Sequence, residues 1–213
     1  MKYKFVDIGC CNYCCSGDIY GLDEKHLYVE PIKAFIDVIP EGKGTIKENS
    51  AISNYNGVTD FFTPKLHSKV RYYSKDEMLK ITSDQKLIEK WQLLNKEYAH
   101  SGITKHPEAT VLEQTQVNCI TLKTLFDKHN VTEIEYLKID VEGAESIILT
   151  QLVKLMLNNK IKITKQIIFE YNRRSNMKKL LRLSNGICKK FGFRSKLVIV
   201  PELWDEDIIL TKI

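Results

Sequence analysis

Apolar and polar positions along this chain fall into two rhythms, and the changes between them occur at acidic residues. Tyr136 to Val141 places Leu137, Ile139 and Val141 in a short buried run whose far end carries Asp140, Glu142 and Gly143. Beyond it, Ile147, Ile148, Leu152, Leu155 and Met156 recur at helical spacing, which predicts a helix facing a core. Ahead of it, Thr121 stands where a helix cap would, before Leu122, Leu125 and Phe126, and that helix should end near Asn130. A buried strand set between two helices predicts a parallel α/β sheet. Ligands of such sheets collect beyond the carboxyl ends of the strands, which is where Asp140, Glu142 and Glu145 are expected to fall.

The same alternation recurs along the chain. Tyr3 to Gly9, His26 to Pro31, Thr45 to Asn49, Gln116 to Ile120 and Lys165 to Glu170 read as strands. Ser175 is placed to cap a helix carrying Met177, Leu180, Leu181, Ser184, Ile187, Cys188 and Phe191, with Gly192 as its stop. Lys196 to Val200 and Asp207 to Thr211 flank a loop too short for a crossover, which predicts an antiparallel pair. Asn54-Tyr55-Asn56-Gly57, between two β-like runs, predicts a hairpin. Residues 64–116 read as a partly helical insertion into one domain spanning 1–213, with Leu87, Ile88, Trp91, Leu94 and Tyr98 at helical spacing. His67, His100 and His106 read there as surface residues.

Composition narrows the function classes. At 213 residues, 43% hydrophobic and 28% charged, the chain can bury a core as an ordinary soluble domain. The net charge of +5 comes mostly from dispersed lysine, while arginine, the better reader of phosphates and bases, is scarce. A nucleic-acid partner is therefore not expected. With no signal peptide or spanning segment in view, the expectation is a cytoplasmic protein without a membrane partner. Six cysteines then read as reduced thiols. Four of them, Cys10, Cys11, Cys14 and Cys15, crowd one turn. A metal site, a redox pair and small residues packed in a tight turn all compete there. Packing is favoured, because a structural zinc site would want a second ligand pair and Cys119 and Cys188 stand alone.

Four strand ends carry polar groups: Asp7 with Gly9, Glu30, Asp140 with Glu142, and Glu170 with Asn172. A parallel sheet delivers them to one rim as an acidic cleft. Glu30 follows the glycine turn by about twenty residues, the arrangement in which a carboxylate accepts from both hydroxyls of a ribose. A glycine turn, an acid for ribose and an antiparallel C-terminal hairpin describe a Rossmann-like class I methyltransferase sheet with helices on both faces. A dinucleotide site would want the full Gly-x-Gly-x-x-Gly turn, which is absent.

These residues resemble the FkbM-family methyltransferases. The likeness is strongest over Val117 to Phe126 and Tyr136 to Leu149, where Lys138-Ile139-Asp140-Val141-Glu142-Gly143-Ala144-Glu145 is close to the family signature. Phe5 to Gly9 with Asn12, Val29-Glu30-Pro31, Ala51-Ile52-Ser53 with Gly57, and Ile167 to Glu170 resemble its other motifs. The resemblance implies binding of S-adenosylmethionine and O-methylation of a hydroxyl, often on a sugar or a glycosylated small molecule. It implies that Asp7, Gly9 and Asn12 shape the methionine pocket. Glu30 with Pro31 would form the ribose site, and Ala51, Ile52 and Ser53 the adenine edge. The chain departs from the family in its first turn, where Cys10, Cys11 and Tyr13 replace a small residue and a second glycine.

Methyl transfer to an alcohol needs alignment of the acceptor oxygen and a destination for its proton. Asp140 is the first candidate for that role, with Glu142 and Glu170 next, and Lys138 is a candidate to orient a carboxylate. A second route would hold Mg²⁺ on Asp140, Glu170 and Asn172, since oxygen ligands suit that ion. The alternatives to a sugar-directed enzyme are an RNA-directed methyltransferase and a non-catalytic or redox protein.

Overall fold

A computed structural model describes residues 1–10, 24–37, 39, 41–64, 112–141, 143–171, 176–200 and 205–213. The chain divides into two compact units, one of Met1–Val58 with Val117–Ile213 and one of Thr59–Gln116.

The first unit is built on β1 (Lys2–Ile8), β2 (His26–Val29), α1 (Lys33–Asp37), β3 (Thr45–Glu48) and β4 (Ala51–Ile52). Two strands, β5 (Gly57–Pro64) and β6 (Leu112–Ile120), run from one unit into the other. There follow α2 (Leu122–Lys128), β7 (Glu133–Ile139), α3 (Glu145–Leu157), β8 (Lys162–Glu170), α4 (Met177–Phe191), β9 (Phe193–Val200) and β10 (Asp205–Lys212). Seven strands form one sheet in the order β3-β2-β1-β7-β8-β10-β9. Its first four pairings are parallel, and β10 runs against both neighbours. This is the mostly parallel sheet with an antiparallel C-terminal pair that the apolar runs predict.

Both faces of the sheet are covered, which is why β2 is buried at every position. On one face Val6, Ile8, Leu137, Ile139, Ile167 and Phe169 pack with Leu125 of α2, Ile148 and Leu152 of α3, and Leu180 and Ile187 of α4. Burial of a side chain such as Leu152 contributes roughly 1.5–3 kcal/mol. On the other face Phe5, Cys10, Tyr28 and Tyr136 meet Ile36 of α1 and Ile39.

The helix ends follow local chemistry. Thr121 caps α2, its hydroxyl accepting the Thr124 N–H at 3.1 Å. The cap of α4 is Asn176, whose side chain accepts the Lys179 N–H at 3.1 Å; it sits one residue after the expected Ser175, which lies outside the described residues. Gly192 ends α4 in the left-handed region at φ 67°, as the sequence predicts.

Two expectations change. The hairpin at Asn54–Gly57 does not form: β6 lies between β4 and β5, and Ala51 and Ile52 pair parallel with Cys119 and Ile120. The turn's Asn56 instead accepts the Thr121 N–H at 2.8 Å, tying it to the start of α2. Second, β6 begins at Leu112, ahead of Gln116. Its Gln114, Thr115, Gln116 and Asn118 are exposed, so no apolar alternation marks it. The helix and the three histidines expected inside the insertion lie outside the described residues.

Candidate active site

The strands end in step. Backbone N–H groups of Glu30, Gly9 and Asp140 donate to the carbonyls of Glu48, Val29 and Ile8 at 3.0, 2.9 and 2.9 Å. Ile139 pairs with Phe169, and Glu170 pairs with Asp207 on the antiparallel β10. Glu30, Gly9, Asp140, Glu170 and Asp207 therefore form a single row across the carboxyl rim. Four of these five stand at strand ends in the sequence pattern itself. Asp207 marks only the start of a strand there, because the register that brings it beside Glu170 has no trace in local sequence.

Two residues below the row, Asp7 of β1 and Lys138 of β7 are register partners. The Lys138 ammonium lies 3.0 Å from Asp140 Oδ2 and 4.0 Å from Asp7 Oδ1. The Asp7 side chain is 1% exposed, whereas that of Asp140 is 38% exposed. A carboxylate as buried as Asp7 requires compensation, and the ammonium supplies countercharge. The same ammonium fixes one oxygen of Asp140 while that residue still reaches solvent. Glu170 is buried at 6% exposure.

Next along the rim, Glu30 is held rather than loose: its Oε1 accepts the Ile32 N–H at 2.9 Å. Asn49, which sequence reading passed over, donates from its side chain to the carbonyls of Glu30 and Pro31 at 2.8 and 2.9 Å. Ala51, Ile52 and Ser53 are buried beside this turn's strand. Gln151 of α3 braces them, donating to the Ser53 carbonyl at 2.9 Å and accepting the Leu122 N–H at 3.0 Å. An open hollow of about 630 Å³ adjoins β3, lined in part by Lys47, Glu48, Ser50, Asn118 and Thr124. Its acid, Glu48, is engaged by Ser50, His129 and Lys128, each at 2.8 Å. Burial pushes that carboxyl up, but these partners outweigh it and hold it below the usual range.

Glu145 differs from its apparent place in the acidic cleft. It is fully buried, and its carboxylate accepts the N–H groups of Val141 and Gly143 at 3.0–3.2 Å. It closes the turn into α3, where an acid also suits the helix N-terminus. Asn12, Glu142 and Asn172 lie outside the described residues, as do Cys11, Cys14 and Cys15. Cys10 is buried and packed against Phe5 and Tyr28. Among the described residues, no three His, Cys, Asp or Glu side chains are grouped as a metal would need.

A parallel sheet with one reversed strand beside its far edge, polar along the carboxyl rim, defines a Rossmann-like methyltransferase fold. The family model described as the Methyltransferase FkbM domain matches residues 13–195, and the chain belongs to that family. Asp7 and Asp207 fall outside the matched span but inside the same sheet, and Gly9, also outside it, directly follows β1. Searches of curated proteins and of solved structures find no match.

Proposed function

We propose that this methyltransferase uses S-adenosylmethionine to O-methylate a hydroxyl of a sugar or a glycosylated small molecule. The observation that carries the reading is the row Glu30–Gly9–Asp140–Glu170, with Asp7 and Lys138 beneath it. When bound, S-adenosylmethionine would supply an electrophilic methyl carbon on a sulfonium, from which an attacking alcohol oxygen displaces the neutral thioether, S-adenosylhomocysteine, in line.

The chain's residues divide the remaining work. Gly9, at φ 84°, turns the backbone off β1, and Asp7 and Asn12 complete the methionine end. Glu30, oriented by the Ile32 N–H and followed by Pro31, accepts from the ribose hydroxyls, and Ala51, Ile52 and Ser53 border the adenine. Asp140 takes the acceptor's proton, its carboxylate aimed by the Lys138 ammonium. Glu142 and Glu170 stand by to bind acceptor hydroxyls. We place the enzyme in the cytoplasm, in keeping with the reduced thiols of Cys119 and Cys188. No helix among the described residues is long and apolar enough to cross a membrane.

The test is methyl-labelled S-adenosylmethionine incubated with panels of glycosides, nucleosides and RNA, with products read by mass spectrometry. Label on a glycoside oxygen is expected. Label confined to RNA, or no label with any hydroxyl, would overturn the reading.

A further inference from the structure

From Ser146 to Val200 the sequence holds thirteen Lys or Arg and one acid, Glu170, although the whole chain is only +5. Glu170 is buried at the rim, so it does not offset charge on the surface. The fold gathers much of this charge onto one face. Helices α3 and α4 pack against each other, and both bury their apolar sides in the same core under the sheet. Their outer sides expose Lys178, Lys179, Arg182, Lys189 and Lys190 on α4, and Lys154 with Lys160 at the end of α3. Among the described residues, none of these seven forms an ion pair.

Charge of this kind calls for a polyanion, and the side chains between the charges choose among polyanions. Leu157 and Leu181 stand exposed on the same two helices, at 50% and 44%. No aromatic residue is exposed on either helix, and six of the seven cations are lysine. A nucleic-acid surface would favour arginine and stacking aromatics. Lysine mixed with exposed leucine instead suits an anionic bilayer, where leucines enter the acyl boundary and lysines remain among the headgroups.

We propose that the α3–α4 face docks the protein peripherally on an anionic membrane surface. This revises the expectation of no membrane partner and does not depend on which acceptor is methylated. Helix α4 starts seven residues after Glu170, so the cationic face begins beside the carboxyl rim and runs roughly 20 Å away from it.

The test is sedimentation of the full chain with vesicles of phosphatidylcholine, alone or with roughly 30% phosphatidylserine. Binding is expected only with phosphatidylserine and should weaken as salt rises. Lys178→Gln/Lys179→Gln should reduce it about tenfold or more, at roughly fivefold per cation. Lys33→Gln/Lys43→Gln, removing equal charge elsewhere, should change it less than about twofold. Leu181→Asn should weaken binding without altering its salt dependence. Failure to bind phosphatidylserine vesicles, equal loss in both double variants, or tighter binding to duplex RNA in the same buffer would each overturn the proposal.

Discussion

A Cβ added to Gly9 would fall on the carbonyl of Asp140. The turn that leaves β1 and the end of β7 approach so closely that only a hydrogen fits between them, and Gly9 also has φ 84°. Gly9→Ala should therefore part the two central strand ends, on top of about 1–2 kcal/mol of left-handed strain. The expected result is a lowered Tm together with loss of S-adenosylmethionine binding by calorimetry. A variant with unchanged Tm and affinity would refute the close approach.

Lys138 reaches both Asp140 and Asp7, so its removal should be felt twice. Lys138→Met leaves the buried Asp7 carboxylate without this ammonium and should destabilise the fold by a few kcal/mol, about 3–5 at most. Lys138→Arg should recover part of that stability and part of the turnover.

Asp140→Asn should lower turnover by about 10²–10⁴ while changing cofactor affinity far less. Glu30→Ala should do the reverse, weakening affinity by about 1–3 kcal/mol. Kinetics and calorimetry on the two variants check this division of labour. Turnover abolished by EDTA and restored by Mg²⁺ would replace Asp140 as base with a cation route.

Glu135 is surrounded by Lys165, Lys2 and Lys4 at 2.7, 2.8 and 3.4 Å. Hydrogen bonds from Lys165 and Lys2 lead in lowering its pKa from the ordinary 4.5 to about 2, against the upward push of burial. Because the folded value is the lower one, the stabilisation is full above the unfolded pKa. It is lost as pH falls from about 4.5 to about 2. Urea titrations across that window should show a shallower decline for Glu135→Gln than for the parent. Lys2 and Lys165 are 59% and 47% exposed, so added salt should reduce the difference.

Gly186 lies inside α4, where an added Cβ would meet nothing within 4 Å. Gly186→Ala should stabilise the protein by about 0.5–1 kcal/mol, the gain expected when a helix interior exchanges glycine for alanine. Thermal denaturation reads this directly. A destabilised variant would mean that the position is covered.

The rim was legible in the sequence because each buried run must stop where the strand meets solvent, and the polar residue at that point is conspicuous. Glu30, Gly9, Asp140 and Glu170 were found this way. Glu145 was misread for the same reason: its spacing from Asp140 looks like another rim acid, but its carboxylate turns inward onto the Val141 and Gly143 amides. The start of β7 was hidden because Glu133 and Glu135 break the apolar run, and only the fold brings lysines from β1 and β8 to neutralise them. The cationic face was also missed. Its lysines are spread along two helices, and packing rather than sequence proximity collects them.

The central position of β1 also has a consequence for synthesis on the ribosome. Ile8 pairs with Ile139, about 130 residues further on, so β1 has β2 available on one side long before β7 exists on the other. At about 5–20 residues per second, that edge stays open for roughly ten seconds in each new chain. Phe5, Val6 and Ile8 would then offer a sticky strand to neighbouring nascent chains. Lys2 and Lys4, set among them, repel such partners until Glu135 arrives on β7 and takes up their charge.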